Sequence, residues 1–187
     1  MNPDHLIVCA SPEWATYLEE ELMPHALAGI DLGDDLLEIG AGPGRTTDLL
    51  RGQVARLTAV ELDDDLAAQL TTRLAGTNVD VVHADATAMP LPADRFSAAV
   101  SFSMLHHVPT TALQDRIFAE LARVVAPGGT VVLCDSVYSD ALAGFHVDDT
   151  FNPVDPARLP ARLTAAGLKD VRVDAQEERF VARARAT

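Results

Sequence analysis

Basic residues, cysteines and aromatics are all scarce in this chain. Lysine and arginine together number 14 against 28 aspartates and glutamates, a formal net charge of −14 over 187 residues, with a pI near 4.6. Such a chain repels phosphate backbones and anionic membranes unless it gathers its basic residues into a patch. No patch stands out, because Arg179, Arg183 and Arg185 near the end are diluted by alanine and acids. Nucleic acid and membrane are therefore disfavoured, and a small neutral or cationic molecule is the better partner. Cys9 and Cys134 are the two cysteines. A domain of this size needs no disulfide, and thiols so far apart match no metal-ligand spacing, so reduced thiols in a cytoplasmic protein without a metal are expected. No stretch offers the ~20 consecutive apolar residues of a membrane span. The opening MNPDHLIVCASPEW has no basic region of the kind that starts a secretory signal.

The hydrophobic share, 48%, suits a globular protein with one core. PEWATYLEEELMPHAL reads as an amphipathic helix, capped by Ser11 with Pro12 in its first position, which Pro24 should end or kink. DLLEIG is a short buried strand, followed by a glycine loop and a helix carrying Leu49, Leu50 and Val54. RLTAVEL is a second strand. DDDLAAQLTTRL is a helix with Leu66, Leu70 and Leu74 on one stripe and three aspartates at its positive end. NVDVVHA and FSAAVSFS are the third and fourth strands. Leu113, Ile117, Leu121 and Val124 mark a helix capped by Thr110 or Thr111. APGG is a turn, and TVVLCDS a fifth strand. DPARLPARLTAAGL is a helix that begins in earnest near Pro160 and ends at Gly167.

Five alternations of strand and helix argue for an α/β, doubly wound, mostly parallel sheet with helices on both faces. DVRVDA and RFVARARA then follow with only a short turn between them. A parallel pair needs a crossover of a dozen residues or more, so these two are antiparallel, which makes a seven-stranded sheet with an antiparallel last strand. Residues 1–187 read as a single domain, with a helical extension over 1–30 and a short irregular cap over 137–154.

Ligands of doubly wound sheets bind beyond the carboxyl ends of the strands, where strand order reverses. The first strand-to-helix loop lies there and reads Gly40-Ala41-Gly42-Pro43-Gly44-Arg45. A nucleoside triphosphate needs Lys followed by Ser or Thr at the helix start, and Arg45-Thr46-Thr47 has no such lysine. A dinucleotide needs G-x-G-x-x-G, and Arg45 stands where the last glycine belongs.

The third candidate rests on resemblance. EIGAGPGRTT resembles the first motif of class I S-adenosylmethionine-dependent methyltransferases, and VELDDDL is similar to the second. HADATAMPLPADRFSAAVS resembles the third region, and RVVAPGGTVVLCDS the motif around strand five. The matches run in order from Leu36 to Ser136 and are nearest to small-molecule enzymes of the ubiquinone-biosynthesis type. The resemblance implies S-adenosylmethionine as cofactor, with Gly40, Ala41, Gly42 and Gly44 against its methionine part. It implies Glu38 beneath the loop, ordering it through backbone amides, and Glu61 on the ribose hydroxyls. Asp85 and the amide of Ala86 would take the adenine edge, with Leu62 on its face beside Met104 and Met89. A carbonyl near Ser101 would receive the ammonium.

Methyl transfer from a sulfonium is an in-line displacement, and a base is needed only where the acceptor must lose a proton. His106 and His107 after strand four, and Asp135 after strand five, are the candidate catalytic residues. Each histidine can equally serve packing. His146 falls in a loop whose Asp148 and Asp149 either attract a cationic acceptor or form a solvated surface. Trp14 and Tyr17 either close over the cofactor or pack in the core. The short extension and cap suit a small-molecule acceptor, or leave a cleft that a second subunit completes in a homodimer. The expected function is methyl transfer to an O, N or C nucleophile. The alternatives are a non-catalytic S-adenosylmethionine-binding module and an NAD(P)-dependent oxidoreductase.

Overall fold

Alternation of side chains along a strand decides which face each residue meets. In a computed structural model, which describes residues 2–187 apart from the side chains of Pro3 and Asp4, β1 (Asp35–Ile39) sends Leu37 and Ile39 to one core. It sends Leu36 to the other. In β4 (Phe96–Phe102) Ala98, Val100 and Phe102 join Leu36, while Ala99 joins Leu37. Seven strands follow the order β3-β2-β1-β4-β5-β7-β6. The remaining ones are β2 (Arg56–Glu61), β3 (Val79–His83), β5 (Val125–Ser136), β6 (Leu168–Ala175) and β7 (Arg179–Ala186). Strands one to five pair in parallel, and β7 runs antiparallel to both β5 and β6. The expected doubly wound sheet with one reversed strand is therefore present.

Strand order reverses between β1 and β4, which makes the space beyond their carboxyl ends the switch point of the fold. One face is covered by α2 (Pro12–Tyr17), α3 (Met23–Ala26) and α4 (Arg45–Leu50), after a first helix α1 (Pro3–Ala10). Helix α5 (Asp64–Arg73) buries Leu70 with Ala41 and Ala59 and is capped by the Asp63 carboxylate. The opposite face is covered by α6 (Thr111–Val124), capped by Thr110, and α8 (Leu159–Ala165). A short α7 (Asp140–Phe145) lies between β5 and α8.

Several details refine or depart from the sequence reading. The helical extension expected over 1–30 includes a separate first helix, α1, which the sequence reading did not delimit; Asn2 caps it by accepting from the His5 amide at 2.8 Å. Of the two outcomes expected at Pro24, an end or a kink, the helix does not end there; residues Leu18–Leu22 form a π turn in which the Met23 amide reaches back to the Leu18 carbonyl. Wider winding there gives the proline ring room that an α turn denies it. The APGG segment belongs to β5, as an irregularity whose register shifts between Phe96 and Ala98 on the partner strand. The cap over 137–154 is partly helical, as α7. At α8, by contrast, Pro160 falls in the first turn and Gly167 follows the end at φ +96°, as expected.

Candidate functional site

The loop between β1 and α4 is ordered from inside the protein. Glu38 shares the parity of Leu36, so it points toward α4, where the hydroxyls of Thr46 and Thr47 donate to its two carboxylate oxygens. The Thr47 bond is 2.6 Å long. Glu38 is 1% exposed, and this burial pushes its pKa from 4.5 up to about 7, with the nearby charges of Glu61 and Asp48 adding to the rise. The bonds found run to hydroxyls of the helix, where backbone amides were expected.

Glu61 at the end of β2 holds the next layer. Its Oε2 accepts from the Gly42 amide at 2.7 Å, and its Oε1 accepts from the amides of Leu62 and Asp63, each at 2.9 Å. A carboxylate offers about four acceptor positions, so most are already engaged. The Gly40 and Ala41 amides donate to the Val60 carbonyl, and the Gly44 amide to the Ala41 carbonyl. The loop is therefore a preformed turn whose own donors close on the protein.

The three glycines do different things. At Gly40 (φ +71°) a side chain would overlap Met104, so this residue admits the loop that follows β4. At Gly44 (φ +84°) it would overlap Leu70 and Arg73, so this glycine serves the packing of α4 on α5. At Gly42 (φ +54°) it would meet nothing within 4 Å. Open space beside Gly42, the Glu61 carboxylate that holds the Gly42 amide, and the adjoining Leu62, 65% exposed, lie together at the carboxyl end of β2. Asp85 is exposed on the neighbouring loop, where its Oδ1 accepts from the Thr87 amide. That loop is clamped to α6: Arg123 donates to the carbonyls of Met89 and Leu91, and Glu120 accepts from the Met89 amide. Ala86 and Met104 pack against the core beneath, and Ser101 is fully buried in β4.

Beyond β4 and β5 the candidate catalytic residues do meet. Ser103, a non-glycine residue at φ +51°, turns the chain into a 3₁₀ turn over Leu105–His107. That turn sets His106 Nδ1 2.5 Å from Asp135 Oδ1, and Asp135 also accepts from the amides of His106 and Ser136. Burial works against charge on His106, but the Asp135 carboxylate and its hydrogen bond outweigh it and hold the pKa above the usual value. His107 is driven down to about 3 by burial and by the neighbouring His106 and His5. His5 is lowered to about 4 by burial and by the neighbouring His146 and His106.

His5 is the residue that sequence reasoning missed, and no local signal marks it. Asp149 also turns inward, with a side chain 5% exposed and lying 3.6 Å from His5 Nδ1. Of the two readings of this loop, a lure for a cationic acceptor or a solvated surface, the solvated one does not hold for Asp149; Asp148 alone of the pair is exposed. His146 is buried as well. The segment is drawn in by Asn152, whose amide donates to the His106 carbonyl, and by the buried Gln114, which donates to the carbonyls of Leu105 and Asn152. Trp14 and Tyr17 pack against the core, with Arg179 donating to the Tyr17 hydroxyl. Among the described residues no helix is long and apolar enough to cross a membrane.

A glycine loop at the switch point, an acid closing β2 upon it, and a reversed hairpin at the sheet edge together define the class I S-adenosylmethionine-dependent methyltransferase fold. The chain belongs to the methyltransferase domain family, whose sequence profile matches residues 37–133. It is 34% identical over 105 residues to a demethylmenaquinone methyltransferase of Clavibacter sepedonicus, covering 55% of this chain and 41% of that one. It is 45% identical over 78 residues to a probable ribosomal RNA small subunit methyltransferase A of Haloarcula marismortui, covering 40% and 26%. The chain spans less than half the length of these relatives. Among solved structures, an S-adenosylmethionine-dependent methyltransferase of Aquifex aeolicus superposes with a TM-score of 0.77 at 18% identity, over the whole of both chains.

Proposed function

We propose that residues 1–187 act as one domain that moves a methyl group from S-adenosylmethionine to a small-molecule nucleophile. The observation that carries this reading is the lock between Glu61 and the Gly42 amide at the switch point, with open space beside Gly42. S-adenosylmethionine carries no phosphate and supplies a methyl group already activated on sulfur, so the site needs neither a phosphate-binding lysine nor a metal on that account. Glu61 presents its remaining acceptor capacity to the ribose, Leu62 and Ala86 face the purine, and Asp85 takes the adenine amino group. Gly40, Ala41 and Gly42 shape the turn against the amino-acid end, and the β4 carbonyls near Ser101 receive the ammonium. Asp135 accepts from three protein donors and is 1% exposed, so it positions His106 rather than meeting the acceptor. Methyl transfer then draws mainly on orientation and exclusion of water.

A net charge of −14 supports a small acceptor over an RNA one. The segments over the carboxyl ends of β4 and β5, α1 and the stretch containing α7, are short, which suits a compact acceptor.

Calorimetry with S-adenosylmethionine and its demethylated product tests the first half. Binding is expected, and Glu61→Ala should weaken it at least tenfold. No heat with either compound overturns the reading. Radiolabelled methyl transfer to a panel of phenols, amines and quinones, set beside a small-subunit ribosomal RNA substrate, tests the second half. Label entering RNA alone would move the assignment to the nucleic-acid branch.

A further inference from the structure

Four of the six histidines in the chain come from three separate segments and meet in one place. His5 stands on α1, His106 and His107 on the turn after β4, and His146 directly after α7. One ring nitrogen of each lies within 4.8 Å of those of the others. Every one of the six ring pairs has its centroids between 4.2 and 6.1 Å apart.

Packing alone does not account for this cluster. His106 Nε2, His107 Nε2 and His146 Nε2 are buried and have no hydrogen-bond partner, while His5 Nδ1 and His107 Nδ1 face the Asp149 carboxylate at 3.6 and 3.9 Å. A buried polar atom without a partner is costly, and native proteins seldom keep three in one spot. The outer hydrogen bonds fix the inner lone pairs. A carboxylate only accepts, so the proton between His106 and Asp135 sits on His106 Nδ1 at 2.5 Å. A carbonyl only accepts, so His146 Nδ1 donates to Leu142 at 2.7 Å. In their neutral form both rings therefore turn Nε2, with its lone pair, inward. Imidazoles that donate outward to a carboxylate or carbonyl and offer the other nitrogen inward are in the arrangement that orients metal ligands.

We propose that His5, His106, His107 and His146 form a site for a borderline divalent transition ion, Zn²⁺ foremost. The ion fastens α1 and the segment after β5 to the carboxyl end of β4. Imidazole suits zinc and its first-row neighbours; four nitrogen donors without a thiolate or an oxygen set disfavour Cu(I), Mg²⁺ and Ca²⁺. Tetrahedral coordination at 2.0–2.1 Å places ligand atoms about 3.4 Å apart, so the rings draw in by roughly an ångström from their widest spacing. Asp135 and Asp149 balance the charge of the ion; Asp149 Oδ2 lies 3.6 Å from His5 Nδ1 and 3.9 Å from His107 Nδ1. The inference stands independently of the methyl-donor reading, since none of the four ligands belongs to the nucleoside surface.

The test uses the full chain purified without a histidine tag, stripped with chelator and titrated with Co²⁺, then with Zn²⁺ in competition. One equivalent of Co²⁺ should give a tetrahedral d–d spectrum without a thiolate charge-transfer band, and Zn²⁺ should abolish it. Zn²⁺ should also raise the melting temperature. His107→Ala and His146→Ala should each lower affinity at least 100-fold and remove the melting shift. Joint replacement of His25 and His83 by alanine should leave metal affinity and the metal-induced melting shift unaltered, since those residues pair with Asp174 and Asp64 elsewhere. If one variant fails to fold, the other and the wild-type spectrum decide. Failure of the wild type to bind a stoichiometric ion, a thiolate band, or undiminished binding in both histidine variants overturns the proposal.

Discussion

Glu38 shows how one side chain ties the loop to the helix after it. It stands in an all-buried strand, and its two acceptor oxygens are matched by two threonine hydroxyls one turn into α4. Because burial raises its pKa from 4.5 to about 7, the folded protein holds a proton that the unfolded chain releases in that interval. The resulting stability is fully present below pH 4.5 and fades as the pH rises through about 7. Glu38→Gln, which stays neutral, should lack this dependence. The difference in urea-unfolding free energy between the two proteins should change by on the order of 3 kcal/mol across the window. Parallel profiles would show that the carboxyl is already ionised when buried.

Among the elements, the glycine loop carries the sharpest contrast. Gly40→Ala combines a left-handed backbone with an overlap onto Met104 and should destabilise the fold by roughly 2–4 kcal/mol. Gly42→Ala bears the backbone penalty alone, about 1 kcal/mol, because its added carbon meets nothing. It should nevertheless depress nucleoside binding out of proportion to its effect on folding, since the carbon enters the space a ligand would use. Gly76→Ala, also left-handed and open, is the control that should leave binding alone. Thermal melts beside calorimetry separate these cases. Equal binding by the Gly42 and Gly76 variants would place the ligand elsewhere. The π turn before Pro24 makes a related point: a proline within a helix was met by rewinding one turn, not by ending the element.

At the level of the whole molecule, residues 2–10 and the stretch after β5 are joined as one cover. Asn2 joins them: its side-chain amide donates to the carbonyls of Phe145 and Val147, its backbone amide donates to Asp149 at 2.9 Å, and its carbonyl oxygen caps α1. Asn2→Ala should cost ~1 kcal/mol locally. It should also raise hydrogen exchange in α1 and in residues 140–149 together, while leaving β1 and β4 unchanged. Faster exchange in α1 alone would mean that the two segments open separately.

Much of the architecture was legible in local pattern. The apolar runs of β1, β4 and β5, the leucine stripe of α5, the Thr110 and Asp63 caps and the short turn between the last strands each depend on neighbours in sequence, which composition and spacing record directly. The same holds for the positions of the glycine loop and Glu61. The roles within that loop were less legible. That Gly44 serves α5, that Gly40 admits Met104, and that Glu61 holds three amides depend on which elements the sheet order brings side by side. The histidine cluster lies at the far end of that range. His5 and His146 are separated by most of the chain, and no periodicity or motif links them. Their meeting was set by the topology that lays α1 and α7 over the ends of β4 and β5, because distant residues become neighbours only when the whole chain has closed on its core.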